Sequence, residues 1–316
     1  MLEVQVIAKK LRSQNVVSVD LSPINGEELP VFEPGAHIDL HLQNGLVRQY
    51  SLFHSPSQRN QYRVAILRAE QSRGGSDWVH RHLQVGDVIS ISEPKNVFQL
   101  EKEASKHVLF AGGIGITPLL SMAESLSDKT QEFELHYSAR SRRDAAFVKE
   151  ISSSSWASQA ELYFSDEGRR VDAEAIFATL APSAHVYVCG PERYIEYILD
   201  TAKKVNWPES QVHRELFQAP KSEPASENTA FEIHLSNSGL TLDVSVDSTV
   251  LEVLTEAGID VPFSCEEGVC GTCITPVLDG IPDHRDHYLT EKEKACNREF
   301  LPCCSRSKTR SLTLDL

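Results

Sequence analysis

The stretch FSCEEGVCGTC, residues 263–273, places three of the chain's seven cysteines within nine residues. Four residues separate Cys265 from Cys270 and two separate Cys270 from Cys273. The next cysteine with a suitable setting, Cys303, follows after 29 more. C-x4-C-x2-C with a distant fourth cysteine is the plant-type spacing for a [2Fe–2S] cluster, whose irons take four thiolates. A loop that wraps inorganic sulfides needs small, turn-forming residues with backbone N–H donors, and Ser264, Gly268, Gly271 and Thr272 supply them. A structural zinc site is the alternative, since four-cysteine zinc sites also use short C-x2–4-C pairs. Such sites usually join two pairs, whereas here one loop offers three thiols and the fourth arrives alone. Cys304 and Cys296 compete for the fourth place, and spacing alone leaves Cys304 open.

The rest of the chain sets the context. It has 316 residues, 41 % apolar and 24 % charged, enough for two or three domains with separate cores. The opening residues MLEVQVIAKK alternate like a strand and no 18-residue apolar run occurs, so neither a signal peptide nor a membrane span is expected, and a cytoplasmic location is. With 31 basic and 45 acidic residues the net charge is −14, which gives nucleic acid or anionic lipid no electrostatic reason to bind. In a long chain without an export signal, clustered cysteines favour metal or redox work over disulfides.

Hydrophobic patterning divides the chain. From 1 to 102, short alternating runs such as HIDLHL and YRVAILR are broken by Gly, Pro and Asn turns, predicting an antiparallel β-barrel. From 103 to 219, buried strand and helix alternate (HVLFAGG then PLLSMAESL, FELHYSA then DAAFVKEI, AELYFS then DAEAIFATL, AHVYVCG then PERYIEYILDTAKK), predicting an α/β domain with a parallel sheet. In the last helix Ile195, Ile198, Leu199 and Ala202 share one face. QAPKSEPASENT reads as a flexible linker centred on 220–227. The remainder, 228–316, opens with a hairpin, FEIHLS and LTLDVSV, and a short helix near Val250, predicting a C-terminal α+β domain around the cysteines. The SSSS run from Ser152 to Ser155 is expected to be a surface loop.

Two upstream motifs suit a redox cofactor. RQYSL (48–52) offers Arg48, Tyr50 and Ser51, a cation, a ring and a hydroxyl for a flavin, with a salt-bridged strand as the plain alternative. SRGGSDWVHRHL (72–83) is a glycine turn entering a helix; Gly74 and Gly75 let the backbone close on a phosphate, Ser76 is the expected N-cap, and Arg73 adds charge. VGDVISISEPKNVFQL (85–100) reads as the closing strands of the barrel. VLFAGGIGITPLLS (108–121) is a strand, a turn with Gly112, Gly113 and Gly115, and a helix expected to start with Thr117 as N-cap and Pro118 at the first helical position. Such a turn admits a pyrophosphate, though it is not the strict G-x-G-x-x-G. VYVCGPERY (186–194) ends a strand at Cys189, Gly190 and Pro191.

Residues 261–273 together with LPCCSRS (301–307) resemble the C-terminal ferredoxin domain of the phthalate dioxygenase reductase family, and the resemblance covers nearly the whole chain. It implies a β-grasp ferredoxin domain, with Cys303, the cysteine before x-S-R, as the fourth ligand. His284 and His287 would then lie in a loop before a helix, where Thr290 and Glu293 form a capping box. FMN is implied at the two barrel motifs. GGIGITP paired with CGP looks like a ferredoxin-reductase-type nicotinamide domain, with Cys189 near the nicotinamide. HRELF (213–217) offers Phe217 as an aromatic cover for the flavin and Glu215 as its polar neighbour. Arg140, Arg142 and Arg143 suit the 2′-phosphate of NADPH or simply solvate a loop, and the resemblance leans towards NADH.

The expected activity is reduction of a [2Fe–2S] cluster by NADH or NADPH through FMN, which reconciles two-electron hydride transfer with a one-electron acceptor. No side-chain acid or base is required. The implied partner is a terminal oxygenase, often of Rieske type, met transiently by an acidic face: residues 228–316 hold 15 acidic and 7 basic side chains. Acidity for solubility alone is the plain alternative. Other functions to weigh are a flavin or ferric reductase with a zinc-stabilised tail, and a non-enzymatic redox sensor.

Overall fold

The computed structural model describes residues 1–69, 73–220 and 227–316; most of the expected linker therefore lies outside the described residues. The chain forms two compact units, Met1–Leu216 and Phe217–Leu316.

The first unit begins with β1 (Leu2–Ser13), β2 (Val16–Pro23), β3 (His37–His41), β4 (Val47–Ser51), β5 (Tyr62–Leu67), α1 (Gly75–Arg81) and β6 (Val88–Ile91). The strands run in the order β4-β3-β6-β1-β2-β5, all antiparallel. A bridge between Leu52 and Val64 joins the two edges and closes the barrel. Period-two alternation sends Val4, Val6, Ile38, Leu40, Ile89 and Ile91 inward. The expected closing strands reduce to β6 and a single His37–Lys95 bridge, because Pro94 and Asn96 interrupt the ladder.

The same unit continues through β7 (Lys106–Gly112), α2 (Ile116–Asp128), β8 (Phe133–Ala139), α3 (Val148–Ser153), β9 (Ala160–Phe164), α4 (Ala173–Phe177), β10 (Ala184–Cys189), α5 (Glu192–Lys204) and β11 (Val212–Glu215). The sheet order is β11-β10-β7-β8-β9, entirely parallel. Leu109 and Ala111 of the central strand face a core with α2 and α3, while Val108 and Phe110 face α4 and α5. Strands buried on both faces explain the uninterrupted apolar runs. In α5, Ile195, Ile198 and Ala202 are buried and Leu199 packs at the margin, as the period predicts. Of the SSSS run, Ser152 and Ser153 form the last turn of α3 and only Ser154 and Ser155 are loop.

Barrel and parallel sheet share one apolar core: Val16, Phe53, Ala65 and Phe98 cluster with Leu109, Ile116 and Leu119. The Ser121 hydroxyl donates to the His54 carbonyl at 2.9 Å and the Glu101 N–H to the Tyr187 hydroxyl at 2.7 Å. This shared burial makes residues 1–216 one unit.

The second unit holds β12 (Phe231–Leu235), β13 (Thr241–Val244), α6 (Val250–Glu256), β14 (Thr275–Asp279), β15 (Pro282–Asp283), α7 (Glu291–Cys296), β16 (Glu299–Phe300), β17 (Arg306–Ser307) and β18 (Ser311–Leu314). Its sheet runs β13-β12-β18-β14-β16, with β12 and β18 parallel at the centre, the β-grasp arrangement. Capping boxes start both helices, Thr249 with Glu252 and Thr290 with Glu293. Leu251 and Leu254 press onto Ile233 and Leu312.

Arg306 ties this unit together. Its guanidinium is buried 5.3 Å from the Phe231 ring centre and donates to the carbonyls of Ser248, Ser245 and Thr229 at 2.7, 2.7 and 3.1 Å. Arg306→Met keeps the stem and strands the carbonyls, so the unit should lose about 3 kcal/mol. Urea unfolding followed by far-ultraviolet circular dichroism will show it. Tryptophan fluorescence should not move, since Trp78, Trp156 and Trp207 all lie in the first unit.

Candidate functional site

In the barrel, Arg48 and Tyr50 sit on one face of β4. The Arg48 side chain donates to the Val47 carbonyl at 2.7 Å and the Arg73 carbonyl at 3.3 Å, bringing the two proposed flavin motifs together. A Cβ on Gly75 would come within 2.6 Å of Arg48 Cγ, so the helix start packs directly against the arginine side chain. Tyr50 is largely buried, and burial raises its phenol well above the usual range; Ser51 is buried. Ser76 is not the N-cap. Gly74, at φ 91°, occupies that position, since only a left-handed residue turns the chain into α1, and Ser76 accepts from the Ala69 N–H at 3.3 Å.

In the parallel sheet the two glycine turns meet. A Cβ on Gly115 would lie 2.4 Å from the Cys189 carbonyl, one on Gly190 2.9 Å from Gly112 Cα, and one on Gly112 2.8 Å from Pro191 Cδ. Gly113 adopts φ 53°. The turn passes through a single 3-10 turn, Gly113–Gly115, straight into α2, so Gly115 is the N-cap. Thr117 and Pro118 are therefore the second and third residues of the helix, within its first turn, and the Thr117 hydroxyl donates back to the Ile114 carbonyl at 3.0 Å. Pro191 is the N-cap of α5. Both helix starts lie at the carboxyl end of the sheet, where open α/β sheets take ligands.

Cys189 is fully buried, and its Sγ lies 3.9 Å from Glu215 Oε2 across the β10–β11 register. Burial pushes the Glu215 carboxyl up to about 8, leaving it largely protonated at neutral pH, and raises the Cys189 thiol well above its ordinary value. Arg140 is exposed at the end of β8, with Arg142 and Arg143 beyond it. Phe217, 39 % exposed, is the first residue of the second unit.

In the second unit the cysteines come together in facing pairs. Cys265 is hydrogen-bonded to Cys270, and Cys273 to Cys303. The Glu267 N–H donates to Cys265 Sγ at 3.4 Å, the Thr272 N–H to Cys270 Sγ at 3.5 Å, and the Gly268 N–H to Cys303. Among the described residues no disulfide joins any of the cysteines. The hydrogen bond to Cys270, with burial, holds the Cys265 thiol far above its ordinary value; the bond to Cys303 does the same for Cys273. These are protons that a metal centre would displace. Among the described residues no three His, Cys, Asp or Glu side chains converge as ligands of one ion would. Two thiol pairs with N–H groups aimed at the sulfurs fit a two-iron cluster.

Cys304 also lies against the cysteine loop, its Sγ 2.4 Å from where a Cβ of Gly268 would be and 3.8 Å from the Leu301 carbonyl, but the thiol that pairs with Cys273 is Cys303. Cys296 is exposed on α7. His284 is buried beside Asp286 and the His287 N–H donates to the Gly268 carbonyl, so this stretch braces the cysteine loop. Sequence reasoning missed Tyr288, whose ring would lie 2.3 Å from a Cβ on Gly271. No motif marks it, because its role is steric and crosses seventeen residues.

Residues 233–308 match the family model of the 2Fe-2S iron-sulfur cluster binding domain, and residues 91–212 that of the dimethylamine monooxygenase subunit DmmA-like N-terminal domain. The chain is 46 % identical to a vanillate O-demethylase oxidoreductase of Pseudomonas sp. strain HR199, with 100 % of both chains covered. The solved structure of phthalate dioxygenase reductase, described as a modular structure for electron transfer from pyridine nucleotides to [2Fe–2S], is 37 % identical. It matches with a TM-score of 0.77, covering 100 % of this chain and 98 % of that one.

The chain belongs to the phthalate dioxygenase reductase family.

Like the members of that family it is an electron-transfer oxidoreductase. The chain also matches, at 37 % identity and a TM-score of 0.88, 41 % of the length of an intact type IV self-sufficient cytochrome P450 monooxygenase. Among the described residues no helix is long and apolar enough to cross a membrane.

Two outcomes follow for the nucleotide side. Gly115→Ala forces a clash with backbone and should cost about 1–3 kcal/mol in urea unfolding read by tryptophan fluorescence. Between the ordinary carboxyl value of 4.5 and about 8, native Glu215 keeps a proton that the unfolded chain releases. Its contribution to stability is therefore intact below that window and lost as pH rises through it. Glu215→Gln should flatten the fall in Tm from pH 5 to 8, measured by tryptophan fluorescence.

Proposed function

We propose that this chain is the reductase component of an oxygenase system, carrying electrons from NADH or NADPH through FMN to a [2Fe–2S] cluster and on to a terminal oxygenase of Rieske type. The working division is 1–102 for FMN, 103–219 for the nucleotide, 220–227 as linker and 228–316 for the cluster. The observation that carries the reading is the coexistence, in one chain, of two mutually packed glycine turns at the carboxyl end of a parallel sheet and four thiols, three of them buried, in facing pairs.

When bound, the nucleotide supplies hydride, the flavin splits the electron pair and the cluster carries single electrons. Arg48, Tyr50 and Ser51 hold the flavin in the barrel, with Arg73, Gly74, Gly75 and Ser76 around its phosphate. Gly112, Gly113, Gly115, Thr117 and Pro118 receive the pyrophosphate, Arg140 stands at the ribose end, and Cys189, Gly190 and Pro191 border the nicotinamide. Glu215, kept protonated by burial, places no negative charge beside the reacting rings. Cys265 with Cys270, and Cys273 with Cys303, would supply the thiolates that hold the cluster. The acidic surface of 228–316 meets a basic face on the oxygenase. Cysteines not joined in disulfides suit the reducing cytoplasm, where we place the chain. A haem oxygenase is the second acceptor, favoured by the fit to the P450 chain; cross-linking followed by absorption spectra separates the two partners by a Rieske shoulder or a Soret band.

Cys303→Ser should lose the broad visible absorption of the cluster, whereas Cys304→Ser should keep it. Cys270→Ser should drop NADH-driven cytochrome c reduction to the flavin-only background while NADH still bleaches the flavin. Full cytochrome c activity in Cys270→Ser, or cluster loss on changing Cys304 but not Cys303, overturns the assignment.

A further inference from the structure

The residue that leads into α3 holds a backbone conformation that its side chain disfavours. Phe147 has φ 64°, in the left-handed region, yet it is only 2 % exposed. A bulky residue is rarely found there, because its Cβ crowds the following carbonyl. Such a backbone persists only where the surroundings dictate it. Those surroundings belong to the barrel. The ring meets that of Phe53, two residues past β4, with centres 4.7 Å apart and planes at 46°, and the Arg12 guanidinium of β1 lies 5.6 Å over it. Arg12 is itself fixed: its Nε donates to the Ser18 hydroxyl at 2.7 Å, and it pairs with Glu150 in the first turn of α3. On the helix side Ile151 is fully packed in the same core.

Phe147 also ends the loop that leaves β8. The loop begins at Arg140, whose carbonyl accepts from the Asp166 N–H at 3.0 Å and the Ser165 hydroxyl at 3.2 Å, and Arg142 within it pairs with Glu167. Its far end has three ties. The Ala146 N–H donates to the Tyr137 hydroxyl at 3.1 Å, the Arg143 carbonyl accepts from the Gln14 N–H at 3.2 Å, and the Phe147 ring rests against Phe53 and Arg12. Two of these three partners come from the barrel, Gln14 from the turn between β1 and β2. Because β8 and α3 are both fixed in the core, relaxing φ at 147 moves the peptides that precede it. A side chain that no longer reaches Phe53 removes the reason for the left-handed backbone, and the loop then leaves its place. The shape of a loop on the parallel sheet is thus set from the barrel.

We propose that Phe147 is a positioning residue for the nucleotide: lodged against the barrel, it holds the loop 140–146 where the adenosine end rests, so that nucleotide affinity depends on the barrel's Phe53. This rests on the reading of the parallel sheet as the nucleotide site with Arg140 at its ribose end. The test uses full-length holoprotein. It measures the affinity of 5′-ADP by calorimetry, a readout independent of turnover, beside kcat and KM for NADH with cytochrome c as acceptor, and flavin content by absorbance. Phe147→Leu keeps an apolar side chain and loses the ring contact. It should weaken 5′-ADP and raise KM for NADH about fivefold each, the worth of an aromatic pair, with kcat and flavin content within about twofold of wild type. Phe53→Leu, which leaves the strained residue itself intact, should do the same. The double variant should bind 5′-ADP no more weakly than Phe147→Leu alone, as two ends of one contact must. An affinity within about twofold of wild type in both single variants overturns the proposal. So does flavin lost in step with 5′-ADP affinity, or full additivity in the double variant. Arg140→Gln separates this from the reading beneath it: if that change leaves 5′-ADP affinity as in wild type, the ribose placement falls. If it weakens 5′-ADP while both phenylalanine variants do not, the role given to Phe147 falls alone.

Discussion

The first unit is organised around a contact between two peptides. Gly115 abuts the Cys189 carbonyl and Gly190 abuts Gly112, so the ends of β7 and β10 approach until no side chain fits between them. That approach sets where α2 and α5 begin, and so which N–H groups point out of the carboxyl end of the sheet. It also draws Cys189 into register with Glu215 in a pocket dry enough to keep the carboxyl protonated. The barrel is not an independent partner to this arrangement. Val16, Phe53, Ala65 and Phe98 are buried in one cluster with residues of α2 and the central strand.

The second unit solves a different problem, that of holding four thiols close without oxidising them to each other or exposing them. Positive φ at Glu266, Gly268 and Gly271 bends the loop around the sulfurs and turns its N–H groups inward. Asp286 accepts from the N–H groups of Tyr288 and Leu289, so Tyr288 is held over Gly271 and the loop is braced from outside. Arg306, three residues past Cys303, anchors the returning chain to the carbonyls of three separate residues. The fourth thiol is thereby delivered to a loop far from it in sequence.

Much of this was legible in the residues. The cysteine spacing, the switch from period-two runs to strand–helix alternation, the face of α5 and the capping box at Thr290 all depend on near neighbours, and all appear where expected. The helix starts did not. Ser76 and Thr117 are good capping residues, yet glycines take both positions: a left-handed turn at Gly74, and a 3-10 turn at Gly113–Gly115 that advances α2. Capping preference is worth about 1 kcal/mol, less than the packing that places these turns.

The sequence alone determined that this chain carries a plant-type cysteine loop, a parallel-sheet nucleotide motif and a flavin pattern, because each is written in residues a few positions apart. Only the tertiary structure decided which of two adjacent cysteines faces Cys273, that Cys189 meets Glu215, that Tyr288 covers Gly271, and that Arg142 is held by Glu167. Those pairs are separated by seventeen to thirty residues, and their meeting depends on strand register and on which way a short turn points, quantities that no local pattern encodes.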